Sequence, residues 1–208
     1  TNSAVEKQPI KNYINESHFE YLDINFLKAI FLWTEVQESN INQIKIENCV
    51  PLLCLHKGIK LLAEGKKKEA ETFLTMVDKQ NFSSTRIKEL LFYSFLKLNQ
   101  KSKAEKFFED LYFKDLNLRP YRMNYFLNND YLLNPVKTQK DGLAEILYNI
   151  SSWYYQKNLF KYSIFFGKLS LRLRPNFNAM KLLVVNALEE IGYKKLAVNL
   201  ISNVNRRN

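Results

Sequence analysis

Glu64-Gly65-Lys66-Lys67-Lys68-Glu69-Ala70-Glu71-Thr72-Phe73-Leu74 aligns with Leu98-Asn99-Gln100-Lys101-Ser102-Lys103-Ala104-Glu105-Lys106-Phe107-Phe108 at an offset of 34 residues. At that offset Gly65 faces Asn99, Ala70 faces Ala104, Leu74 faces Phe108 and Val77 faces Leu111. The same spacing relates Asn158 to Gly192, Ser163 to Ala197 and Ser170 to Val204. Gly and Asn are the residues that most readily take the left-handed conformation ending a helix. A small residue five positions later lets a second helix approach the first. Leu61 and Phe95 before the turns, with Leu74 and Phe108 after them, supply the large apolar contacts between the two. The pattern predicts antiparallel helix pairs and an all-α chain.

Composition points the same way. The chain has 208 residues, 46% of them apolar, with 5 Gly and 5 Pro, so a core is affordable but turns are scarce. Folds built from many short strands need a turn every ~8–12 residues. There is no G-x-G-x-x-G, and Gly58 and Gly65 do not make a phosphate loop. His18 and His56 are the only histidines, and no H-E-x-x-H or paired C-x-x-C occurs. No protein-built metal site and no cofactor is therefore expected. Cys49 and Cys54 read as two apolar thiols in preference to a disulfide. The longest apolar runs, at Phe26–Trp33 and Leu182–Val185, fall short of the ~20 residues of a membrane span. The chain starts at Thr1 with no basic-then-apolar leader, which reads as a processed protein or a fragment.

The 34-residue frame resembles the tetratricopeptide repeat, a helix-turn-helix unit with the pattern W-x2-L-G-x2-Y, then A-x3-F, then P. Gly58 occupies its first small position, Tyr154 its aromatic, and Arg174-Pro175-Asn176 closes a unit where that pattern expects it. Units then run over 51–84, 85–118, 144–177 and from 178 onward. Phe92 and Val185 stand in small-residue positions, and Lys88 and Lys181 where Trp or Leu is usual. Four regions follow: a degenerate helical pair or N-terminal cap at 1–50, two units at 51–118, a truncated unit and loop at 119–143, and two units at 144–208, the last forming the C-terminal end. Within these, Asn12–Leu22 and Asn25–Val36 read as a pair turning near Asp23, with Ala29 as the small contact and Gln37–Lys45 as a polar connector. Asn117-Leu118-Arg119-Pro120 reads as a helix start continued by Tyr121–Asp130, and Asn134–Gly142 as a loop.

A narrower resemblance covers the last third. Pro135-Val136, Gly142-Leu143-Ala144-Glu145-Ile146-Leu147 and Leu171-Arg172-Leu173-Arg174-Pro175-Asn176-Phe177 are similar to the C-terminal part of long repeat proteins of bacterial envelopes. That resemblance implies a portion of a longer protein and a place in the periplasm or envelope, with the cytoplasm as the alternative.

The repeat resemblance implies a right-handed α-α superhelix whose first helices line a concave groove, and partner binding without catalysis. Positions 2, 5, 6, 9, 12 and 13 of each unit would face that groove. They include Arg86, Glu89, Tyr93 and Lys97 in the second unit, and Glu145, Tyr148, Asn149, Ser152, Tyr155 and Gln156 in the third. Asn186, Glu189 and Glu190 follow in the fourth. Arg86, Tyr93, Lys97, Tyr148, Asn149, Ser152, Tyr155 and Asn186 are the candidate contacts for a protein or peptide partner, since Tyr and Asn combine contact area with adaptable hydrogen bonds. For Tyr148 and Tyr155 the alternative is packing against the neighbouring unit. Leu55 and Ile59 occupy the first-unit positions that chaperone-tail clamps fill with a Lys and an Asn, so that specialised role is not expected. Lys+Arg 31 against Asp+Glu 21, a formal charge of +10, supports the rival reading, an RNA or acidic-partner binder. Lys57, Lys60 and Lys66–Lys68 cluster near one turn, and Arg86, Lys88, Lys97, Lys101, Lys103 and Lys106 follow. Yet the Lys66–Lys68 run falls outside the groove, and no nucleic-acid motif accompanies it. Glu189 with Glu190 and Glu109 with Asp110 have no nucleophile and base beside them, so catalysis is not expected.

Overall fold

Gly65, Asn99, Asn158 and Gly192 have φ values of 79°, 60°, 59° and 80°, all in the left-handed region. Each closes a helix with the same pair of backbone hydrogen bonds. Gly65 N–H donates to Leu62 O at 3.1 Å and Lys66 N–H to Leu61 O at 2.9 Å; Asn99 to Leu96 and Gln100 to Phe95 repeat the geometry at 3.1 and 2.9 Å. Asn158 to Tyr155, Leu159 to Tyr154, Gly192 to Glu189 and Tyr193 to Leu188 complete the set. This arrangement satisfies carbonyls that a helix end would otherwise leave open, and it turns the chain back on itself.

A computed structural model describes residues 24–34, 49–80, 84–113, 123–128 and 135–205. The described residues are helical and contain no strand. We number the helices α1 (Ile24–Thr34), α2 (Pro51–Ala63), α3 (Lys67–Asp78), α4 (Thr85–Lys97), α5 (Lys101–Phe108), α6 (Met123–Asn128), α7 (Gln139–Gln156), α8 (Phe160–Leu173), α9 (Asn178–Glu190) and α10 (Lys194–Asn205). A π-helical turn, Glu109–Phe113, continues α5. The expected helix Asn12–Leu22 with His18, the turn at Asp23, the connector Gln37–Lys45 and the helix start at Asn117–Pro120 lie outside the described residues. None of the described helices is long and apolar enough to cross a membrane.

Consecutive helices α2/α3, α4/α5, α7/α8 and α9/α10 pack as hairpins, and α8 also packs on α9. The small residues five positions after each turn sit at these contacts: Ala70, Ala104 and Ser163 are fully buried and Ala197 nearly so. A Cβ added to Gly58 would lie 2.7 Å from Leu74 Cγ, so glycine there sets how closely α3 approaches α2. In the α7/α8 hairpin, small hydroxyls bond across the contact beside the stacked Tyr154 and Phe166 rings. Ser151 Oγ donates to Ser163 O at 2.8 Å, and Ser170 Oγ donates to Ala144 O at 2.8 Å. Moving back along α7 moves forward along α8, as an antiparallel pair requires.

The larger core joins α1 to α7 through Leu55, Leu74, Phe92, Phe95 and Ile146, and a second lies around Phe177, Met180, Val184 and Leu188. Burying each such side chain stabilises the fold by about 1.5–3 kcal/mol before entropy is counted. Phe126 ties α6 to the α4/α5 hairpin, with ring centroids 6.0 Å from Phe92 and 5.9 Å from Phe108.

Two sequence expectations are corrected. The stretch read as a loop up to Gly142 is helical from Gln139. Thr138 caps it: its Oγ1 accepts from Asp141 N–H at 3.2 Å, while Asp141 Oδ2 accepts from Thr138 N–H at 2.9 Å. Gly142 therefore lies inside α7, where a Cβ would overlap the Trp33 ring. Second, Cys49 and Cys54 are joined as a disulfide, their Cα atoms 5.6 Å apart. Helix α2 begins between them at Pro51, and its first turn brings Cys54 back over Cys49 within the span a disulfide needs.

Candidate functional site

Helix α7 is joined to its neighbours on two sides, and the two joints are built from different chemistry. Toward α4 and α9 the joint is ionic. Glu145 is fully buried. Arg86 of α4 holds it with two hydrogen bonds, Nε to Oε2 at 3.1 Å and Nη2 to Oε1. The third arm of that guanidinium, Nη1, donates to Glu89 Oε2 at 3.0 Å. Arg174, at the end of α8, donates from Nη1 to Glu145 Oε1 at 3.0 Å and from Nη2 to Pro135 O at 2.6 Å, and its Nε lies 3.3 Å from Asp141 Oδ1. Phe177, which precedes α9, offers its ring to both cations, at 5.0 Å from Arg86 and 4.9 Å from Arg174. The fork geometry of arginine suits such shared, two-pronged contacts.

The protonation states follow from burial and pairing. Burial alone would lower the pKa of Arg86, but Glu145 and Glu89 outweigh it and raise it above the ordinary value. Burial likewise holds Arg174 below its ordinary value, with Glu145 opposing. Glu89 moves the other way. Desolvation pushes it up and Arg86 pulls it back only in part. Tyr148, 5.5 Å from the Phe177 ring, is pushed by burial to about 12, so its hydroxyl remains a donor at neutral pH.

This ionic joint floors an open cleft of about 310 Å³. Helix α4 contributes Thr85, Arg86 and Glu89, and α7 contributes Tyr148. The opposite wall is α9, with Asn178, Ala179, Leu182, Leu183 and Asn186. Counted on the 34-residue frame, all but Thr85 and Asn178 stand at positions 2, 5, 6 or 9 of their units.

Toward α1 and α2 the joint is neutral at its centre, and a smaller cleft of about 120 Å³ opens beside it, lined by Trp33, Lys60, Glu64 and Gln139 among others. Trp33 Nε1 donates to His56 Nδ1 at 3.1 Å, with the two rings edge to face, and the Asn149 amide lies 3.1 Å from His56 Nε2. Because Trp33 donates to Nδ1, the neutral ring carries its proton on Nε2, and the Asn149 amide, whose Nδ2 is the atom placed at 3.1 Å, satisfies that proton when turned to present its oxygen. Full burial pushes the His56 pKa down to about 3, which keeps the ring neutral. Lys60 Nζ donates to Leu32 O at 2.9 Å and anchors α1 from its other side.

Of the residues expected to face a groove, Arg86, Tyr148 and Asn186 come together in the cleft. Asn149 belongs to the His56 joint. Tyr93 packs against the larger core with Lys97 Nζ 5.4 Å from its ring, and Tyr155 lies 5.4 Å from Phe160 against the second core. Ser152 is half-buried on α7. Leu55 and Ile59 are buried. Ala179, Leu182 and Leu183 were passed over because they are apolar, although the positional rule that selects Asn186 selects them too. Trp33 carried no such signal, since α1 lies outside the repeat frame. Among the described residues no cluster of His, Cys, Asp or Glu could hold a metal ion. Comparison with family models, curated proteins and solved structures finds no match to this chain.

Proposed function

We propose that the chain is a non-catalytic scaffold of tetratricopeptide type, its helix pairs stacked as a right-handed superhelix, which holds a peptide segment of a protein partner between α4, α7 and α9. The observation that carries this reading is the cleft itself: equivalent positions on three inner helices line one open space. The left-handed turns, which fall in two pairs at the repeat spacing, Gly65 with Asn99 and Asn158 with Gly192, support the frame. Binding would come from shape, from an apolar wall and from side-chain hydrogen bonds, with no covalent step. An RNA strand is less well served. The cleft presents the Glu89 carboxylate, while Lys66 of the basic turn is exposed and paired with Glu64 at 2.8 Å.

The test is a selection of displayed peptides on the intact chain, followed by binding to a Leu182→Asp variant. Leu182 is 57% exposed, so this change leaves the fold alone. The selected peptides are expected to bind the variant at least about ten-fold more weakly, a loss of about 1.4 kcal/mol. Equal affinity for parent and variant would remove the cleft as the site.

A further inference from the structure

Among the described residues the charges beneath the cleft do not balance. Arg86 touches Glu145 and Glu89, and Arg174 touches Glu145 and Asp141, so within this group two guanidinium groups face three carboxylates. Asp141 is committed to the cap of α7 and Glu145 is enclosed. Glu89 is the carboxylate left at the opening, its side chain 27% exposed. Its Oε2 accepts from Arg86, and among the described residues Oε1 has no donor. Its raised pKa is what a half-desolvated carboxylate with too little positive charge around it shows. Beside it, Tyr148 offers a ring face and a hydroxyl with no hydrogen-bond partner among the described residues. Across the cleft, Leu182 and Leu183 form an apolar wall.

Resting on the peptide-cleft reading above, we propose that the occupant presents a lysine or arginine side chain, its cationic head on Glu89 Oε1 beside Tyr148 and its aliphatic stem along Leu182 and Leu183. A long basic side chain suits both halves of this environment, because its stem is apolar and its head is charged. The chain's overall charge of +10 does not oppose this. At physiological salt, fields fade over about 8 Å, so the groups at the cleft decide what enters it.

The probe is a set of immobilised decapeptide pools, otherwise randomised, with Lys, Arg, norleucine or Glu fixed at the centre. The intact chain is expected to bind the Lys and Arg pools at least about ten-fold better than the norleucine pool, a preference of about 1.4 kcal/mol. Leu182→Asp, which adds a carboxylate as it breaks the apolar wall, serves only to locate binding in the cleft. Glu89→Gln, which still accepts from Arg86, should abolish the Lys-over-norleucine preference. Should that variant fail to fold, Asn186→Asp on the exposed surface of α9 must increase retention of the Lys pool. Equal retention of Lys and norleucine pools, still reduced by Leu182→Asp, would overturn the basic side chain and leave the peptide cleft standing. A best-bound Glu pool would overturn it as well. Retention of no pool would overturn both.

Discussion

The two joints on α7 solve one problem, attaching neighbouring helices to a buried surface, in opposite ways. Trp33, His56 and Asn149 form a neutral chain in which each ring nitrogen finds a partner. Arg86, Glu145 and Arg174 form a charged one in which Glu89 is left facing a cleft. At the neutral joint both ring nitrogens of His56 are already engaged, and the cleft beside it is the smaller of the two. The ionic joint leaves a carboxylate at its mouth, and the difference separates the joint we read as structural from the one we assign to binding.

The comparison breaks most visibly at Glu145. Glu145→Gln leaves two guanidinium groups without their shared counterion, and removing one partner of a buried pair costs about 3–5 kcal/mol. Urea denaturation should show that loss; a change under about 1 kcal/mol would mean the ionic joint carries little of the fold's stability. The neutral joint shows itself through pH. The unfolded chain's His56 takes up a proton near 6.5, whereas the folded site resists until about 3. Between those values the unfolded state binds more protons, so this contribution is complete above pH 6.5 and shrinks as pH falls toward 3. The slope reaches at most about 1.4 kcal/mol per pH unit. His56→Gln should flatten that part of the acid limb relative to the parent, and parallel curves would contradict the neutral assignment.

Gly142→Ala ranks next. In an open helix it would gain about 1 kcal/mol from propensity, but here the methyl group meets the Trp33 ring. A net loss of about 1–3 kcal/mol is expected from overpacking, and a stabilised protein would show that α1 does not seat there. Smallest of all is Lys66→Ala at the exposed basic turn, for which the melting temperature should not move; a clear drop would give that turn a structural role.

The helix-ending turns are legible because a left-handed residue has a compositional signature, so Gly65, Asn99, Asn158 and Gly192 stand out in the sequence. Gly142 was misread for the same reason. Its glycine serves a close approach by Trp33 inside a helix, and the Thr138–Asp141 cap that starts that helix was overlooked. Part of the cleft was legible as well, since position within a repeat picks out Arg86, Tyr148 and Asn186. What Arg86 binds was not. Its partner Glu145 lies 59 residues away across a break in the period, and a repeat pattern does not say which charges meet over such a gap. The docking of α1 is equally invisible to periodicity, because it depends on where a helix outside the frame finds a surface that fits Trp33.

The most direct test compares the two joints during binding. With a peptide selected on the intact chain, nuclear magnetic resonance should show the Asn186 side-chain amide and the amides around Glu89 and Tyr148 shifting in proportion to occupancy, while the Trp33 indole N–H stays where it is. Shifts centred on Trp33 and His56, with Asn186 unmoved, would contradict the assignment of the cleft as the binding site.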